Sequence, residues 1–177
     1  GAFCKLVLGF EWLESLLIGA VISSTDAASV FSVLRSKKLN LRYGTASILE
    51  LESGSNDPWA YMLTVIILSV MKGGATAGGF VMSLLAQVFF GVFFGALISL
   101  GAVYLIKRVR FDAAGFDAIF VTAIAILSYA LPSAVGGNGY LSCYIVGIVL
   151  GNTKISGKTA LVHFFDGITG FTQILLF

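Results

Sequence analysis

Residues 88–106 read VFFGVFFGALISLGAVYLI, with no charged residue and no alternation of apolar and polar positions. A membrane β-strand alternates over about 10 residues, whereas a helix crosses a bilayer with roughly 20 mostly apolar ones. The run therefore reads as helix, and its apolar character extends from about Gly79 to Ile106. Working outward, the same test predicts helices over about Trp12–Leu34, Ile48–Met71 and Ala113–Leu131, the last ended by Pro132. A shorter run, Tyr140–Leu150, is followed by the stop signal Gly151-Asn152. Another begins near Leu161 and continues to Phe177, while Gly1–Phe10 reads as the tail of an earlier helix. The predicted fold class is an all-α integral membrane protein with about five full transmembrane helices plus partial ones.

Composition agrees. The chain is 58% hydrophobic and 11% charged, against about 25% charged in soluble domains. So few charges cannot cover a water-facing surface. There are 21 glycines and two prolines; glycine lets helix backbones approach where lipid offers no hydrophobic drive for packing. Cys4 and Cys143 stand far apart without metal or redox spacing and read as small packing residues. The chain starts and stops within apolar sequence, which reads as an excerpt of a longer protein.

The loops predict orientation. Arg35, Lys37, Lys38 and Arg42 follow the first full helix, Lys107, Arg108 and Arg110 the third, and Lys154 and Lys158 the fifth. The segments KGGATAGG (72–79) and PSAVGGNG (132–139) contribute only Lys72, and Lys5 falls on that same side. Nine of the eleven Lys and Arg thus share one face, which the positive-inside rule makes cytoplasmic. Glu11 and Glu14 then lie near the outer surface, Glu50 at the inner mouth, and Asp117 at the inner end of the fourth helix. His163 falls near an interface.

Two acids interrupt the oily runs. Asp26 follows Ser23, Ser24 and Thr25; Asp57 stands between Asn56 and Pro58. Ionisable groups at bilayer depth cost roughly 2.5–3.5 kcal/mol each on insertion scales, so they mark ion or proton paths by default. Ser, Thr and Asp compete for backbone hydrogen bonds, so ISSTDAAS predicts a broken or loosened turn. Such irregular backbone survives in a membrane only when buried or lining a cavity, and its freed carbonyls can coordinate cations. In LELESGSNDPWAYMLT (49–64), Glu50, Ser53 and Asp57 share a helical face while Glu52 points elsewhere. Pro58 disturbs the preceding turn, and Gly54 makes room for a neighbouring helix. A carboxylate there holds a proton or a metal cation but not both, and competition for one site that faces alternate sides couples two fluxes. No GxxxxGK[ST] motif is present. The bland alternative makes Asp57 a helix N-terminal acid at the surface. It leaves only about 14 apolar residues after Pro58, too few to span. Asp26, Asn56, Thr25 and Ser53 have simpler readings too, as packing or locally hydrogen-bonded polars.

STDAASVF (24–31) followed by LELESGSNDPWAYMLT resembles the monovalent cation:proton antiporter superfamily, in its Na⁺/H⁺ exchanger branch. ESGSNDP with AYMLT is most similar to the bacterial potassium/proton antiporters, as are YLSCYIVGIVLGN (140–152) and HFFDGITGFTQILLF (163–177). The resemblance implies an inverted-repeat antiporter fold with a broken helix, of which this chain is a central fragment. It implies Asp57 as the proton and cation carrier, with Thr25 and Asp26 in an unwound helix that crosses a partner helix of a second inverted repeat; Ser53, on the Asp57 face, is a further candidate from the residues themselves. Asn56, where electrogenic relatives carry a second Asp, implies electroneutral exchange. Glu52 would form a structural ion pair with an arginine on a later helix; no such arginine lies in this chain. Residues 1–72 would belong to an ion-binding core domain, 73–111 to a long connecting helix and 112–177 to a scaffold that forms a homodimer. The expectation is a secondary transporter rather than an enzyme, multi-pass in the cell's inner membrane. It would exchange K⁺, with Na⁺ second, for H⁺ by alternating access, without a cofactor or nucleic-acid partner. A passive cation channel with the same acids as a selectivity ring is the alternative, and an ion-binding sensor a third.

Overall fold

The computed structural model describes residues 1–25, 45–73, 77–108, 115–154 and 157–176. Among these residues the chain is helical and forms no strand. The elements are α1 (Ala2–Leu8), α2 (Trp12–Ile22), α3 (Thr45–Met71), α4 (Ala77–Arg108), α5 (Phe116–Ala134), α6 (Gly139–Asn152) and α7 (Lys158–Leu176). By length and composition, Gly78–Arg108 and Phe116–Ala134 can cross a membrane, while α2 and α6 are apolar but shorter. Asp26, the remainder of the expected Trp12–Leu34 helix, and Arg35, Lys37, Lys38, Arg42, Arg110 and Asp112 lie outside the described residues.

Local chemistry sets the ends of α2. Glu11 and Glu14 form a capping box at its start, with the Glu11 backbone N–H donating to Glu14 Oε2 at 3.3 Å. Reciprocal caps of this kind satisfy amides that have no partner within the helix. At the other end the Ser23 hydroxyl donates to the Ala20 carbonyl at 2.6 Å, and Ser24 and Thr25 have left the helix. The hydroxyl-rich stretch thus ends the helix after 11 residues, as side chains that compete for backbone partners do. By contrast α3 runs through 27 residues with Pro58 inside it. The ring removes one amide donor, so the Gly54 carbonyl loses its usual partner four residues on.

Among the described residues the most extensive helix–helix packing lies between α4 and α6. A Cβ added to Gly91 would stand 2.9 Å from the Asn138 carbonyl oxygen and 3.1 Å from Leu141 Cδ2. One added to Gly95 would stand 3.1 Å from both Ile145 Cβ and Ser142 Cα. Below these glycines, Ile98 and Ala102 of α4 pack with Val146 and Leu150 of α6. The turn entering α6 is equally compressed: Gly136 is left-handed at φ 79°, where only glycine sits without strain. A Cβ on Gly139 would come within 2.6 Å of the Tyr129 carbonyl oxygen. Outward, Met82, Phe89, Leu100, Ile119 and Ile126 are all largely exposed. Apolar surface on this scale faces lipid or further protein rather than water.

Candidate functional site

The end of α2 lies against the polar half of α3, and the contact is built in two layers. In one, the Ser24 hydroxyl donates to Asp57 Oδ1. In the other, Asn56 Nδ2 donates to Thr25 Oγ1 at 2.6 Å and to Glu52 Oε1 at 3.2 Å, and Thr25 Oγ1 lies 3.4 Å from Glu52 Oε2 as donor. Ser53, only 4% exposed, donates to the Thr25 carbonyl and fastens the non-helical backbone to α3. The helical period explains the sorting. Glu52 and Asn56 are four residues apart and share one face; Ser53 and Asp57 share the next.

Asn56 spends its two N–H groups on Thr25 and Glu52. Its Oδ1 is buried and has no hydrogen-bond partner among the described residues. A buried acceptor left open is costly, and it is suited to a proton donor or a cation.

Asp57 faces a cavity of about 300 Å³ lined by Val21, Ser24, Asp57, Ala60, Tyr61, Thr64 and Tyr140. Ala60, Tyr61 and Thr64 follow Asp57 along the same stripe of α3. Tyr140, from the start of α6, also lines it. Its ring lies 4.7 Å from that of Tyr61 and 5.3 Å from that of Tyr129 at the end of α5, centroid to centroid. Tyr61 of α3 and Tyr140 of α6 thus line the cavity together, and Tyr129 of α5 packs edge-on against Tyr140. A second cavity of about 370 Å³ between α5, α6 and α7 is lined mainly by apolar side chains, including Val121, Val146 and Leu161.

Among the described residues, the side-chain oxygens lining the cavity are those of the Asp57 carboxylate and of the Ser24, Tyr61, Thr64 and Tyr140 hydroxyls. Among the described residues no three His, Cys, Asp or Glu come together as a metal-binding group. Hard cations take oxygen ligands, which this lining supplies.

Of the residues singled out from sequence, the structure brings together Thr25, Glu52, Ser53, Asn56 and Asp57; Asp26 lies outside the described residues. Glu52, which the spacing turns away from Asp57, joins the Asn56–Thr25 layer. Ser24, Tyr61, Thr64 and Tyr140 were not anticipated as site residues. Tyr61 and Thr64 could have been found by extending the Asp57 stripe by one and two turns. Ser24 lay within the hydroxyl run. Tyr140 had no local signal, being 83 positions beyond Asp57 in the chain.

All of residues 1–177 match the family model described as sodium/hydrogen exchanger, transmembrane. The chain is 39% identical over 183 residues to the K(+)/H(+) antiporter NhaP2 of Shewanella oneidensis, covering 100% of this chain and 31% of that protein. It is 35% identical over 181 residues to the K(+)/H(+) antiporter NhaP of Alkalimonas amylolytica, again with 100% and 31% covered. To the Na(+)/H(+) antiporter NhaS2 of a Synechocystis species it is 26% identical over 172 residues, covering 92% of this chain and 30% of the relative. The chain thus spans about a third of the length of the curated relatives it matches.

Proposed function

This chain belongs to the sodium/hydrogen exchanger family of transmembrane proteins, and on that premise we propose that the complete protein is a secondary antiporter of monovalent cations and protons. The observation that carries the reading is Asp57, paired with the Ser24 hydroxyl at the wall of an open cavity. A carboxylate so placed binds a proton or a cation, each displacing the other. If the site opens to alternate sides, that competition converts one gradient into the other.

K⁺ is the favoured cation because the two relatives at 39% and 35% identity are named K(+)/H(+) antiporters. Na⁺ stands second, from the 26% identical Na(+)/H(+) antiporter. Asn56, uncharged beside Asp57, supports electroneutral exchange of one cation for one proton. Asp26, close in sequence to Ser24 and Thr25, supplies the second carboxylate. Glu52 has a structural role, with an arginine partner beyond this chain. About five helices cross the inner membrane. Residues 1–72 contribute to an ion-binding core, 73–111 connect, and 112–177 contribute to a scaffold through which two copies pair.

Proteoliposomes of the complete protein test the reading. An outward K⁺ gradient drives proton uptake, and Asp57→Asn reduces it to the level of empty vesicles. Cation flux that persists in Asp57→Asn with no counter-moving protons would favour a channel and overturn the proposal.

A further inference from the structure

We propose that Asn138 is a positioning residue for Asp57, acting through the Pro58 carbonyl. The inference rests on the antiport reading for its functional meaning, but its geometry is independent of it. Asn138 is fully buried, with 0% of its surface exposed. Its Nδ2 donates to the Pro58 carbonyl oxygen at 2.8 Å, across 80 positions of sequence. Its Oδ1 accepts from the Leu141 backbone N–H at 3.1 Å and so caps α6. The amide orientation is fixed by chemistry, since a carbonyl only accepts and an N–H only donates.

Asn138 is held by its backbone as well. Its N–H donates to the Gln87 carbonyl of α4 at 3.0 Å, and its own carbonyl accepts from Ser142 N at 3.2 Å. Gly91 lies against that carbonyl so closely that a Cβ would stand 2.9 Å away. The side chain reaching α3 therefore comes from a rigid mount on α4 and α6.

The target is the weakest turn of α3. Pro58 has no amide to give the Gly54 carbonyl, and its ring crowds the preceding turn. Proline is a common site of helix kinks. A bond from outside to the Pro58 carbonyl fixes the direction of the helix immediately after Asp57. The same short segment carries Tyr140, which forms part of the wall of the Asp57 cavity and packs at a tilt against Tyr61. One mount thus sets both the backbone next to the carboxylate and part of its cavity wall. Nothing in the PSAVGGNG segment marks this from sequence beyond an Asn placed to cap a helix.

Two variants test the proposal by different routes. Asn138→Ser keeps a good N-cap but is too short to reach Pro58. Gly91→Ala suits a helix interior yet pushes on the Asn138 carbonyl from the other side. Two readouts are used with the complete protein: the cation KM and kcat of exchange, and protection of Asp57 by K⁺ from carbodiimide labelling, read by mass spectrometry without transport. Losing one hydrogen bond's worth of positioning raises KM and the half-protecting K⁺ concentration about fivefold in Asn138→Ser, with a smaller shift of the same sign in Gly91→Ala. A lower melting temperature or kcat with KM and protection unchanged in the variants would overturn it, leaving Asn138 a structural residue. Failure of both variants to fold would do the same. Wild-type protein whose Asp57 is protected by K⁺ but which exchanges no protons sinks the antiport reading alone. Normal wild-type exchange with unshifted variants sinks this inference alone.

Discussion

Two seams in this molecule solve helix contact in opposite ways. Where the end of α2 meets α3, side chains carry the contact: Ser24, Thr25, Glu52, Ser53, Asn56 and Asp57 bond through oxygens and one amide. Where α4 meets α6, side chains are withdrawn: Gly91 and Gly95 let Asn138, Leu141, Ser142 and Ile145 press against the α4 backbone. The first seam leaves Asp57 exposed to a cavity and Asn56 with an open acceptor. The second contains Ala102 at 1% exposure and Val146 at 3%. Polar interactions across helices in a membrane are worth only about 0.6 kcal/mol each on average. The polar seam therefore reads as machinery and the glycine seam as the frame it is mounted on.

The comparison can be broken at several points. The largest expected effect is in Asp57→Asn, which removes exchange altogether while leaving the thermal unfolding midpoint nearly unchanged. A large loss of stability in that variant would make the polar seam structural. Next comes Gly95→Leu, which overfills the other seam at a cost of about 1–3 kcal/mol. Its thermal midpoint falls, and the cation KM of the protein that remains folded rises with it, because the same seam mounts Asn138 and Tyr140; an unshifted KM would separate the frame from binding. Ser24→Ala removes a hydrogen bond to a carboxylate, worth about 1.5 kcal/mol at the low end. Its half-saturating K⁺ concentration rises roughly tenfold, measurable by flux titration.

Acidification acts on the same group. If protons and cations compete for Asp57 as proposed, the half-saturating K⁺ concentration rises as the pH on the cation-loading side falls. Flux titrations at two pH values check this, and a cation affinity independent of pH would refute competition. The smallest effect is expected for Tyr144→Phe, which deletes a 3.2 Å bond to the Leu51 carbonyl. It costs about 0.5 kcal/mol of stability and leaves exchange kinetics alone.

The sequence carried the helical fold because lipid-facing helices are written locally, in runs such as 88–106. It also carried the polar seam in outline. Asp57, Asn56 and Ser53 fall on adjacent stripes of one helix, and the serines and threonine before Asp26 mark where α2 ends. Partnerships between distant segments were not legible. Helical spacing turns Glu52 away from Asp57 but does not show that Thr25 meets it on that face. Asn138 and Tyr140 stand at the N-terminus of α6, after a segment whose sequence shows only that it is short, glycine-rich and poor in cations. Their places depend on how closely α6 lies against α4, and hence on two glycines more than 40 residues upstream.

The glycine seam has a mechanical corollary. Two helices in contact at their backbones cannot shear by a residue, because a bulky neighbour would arrive where a glycine stood. α4 and α6 are geared together and act as one lever. If access to Asp57 alternates, the stroke falls between that lever and α3, and Pro58 is its fulcrum.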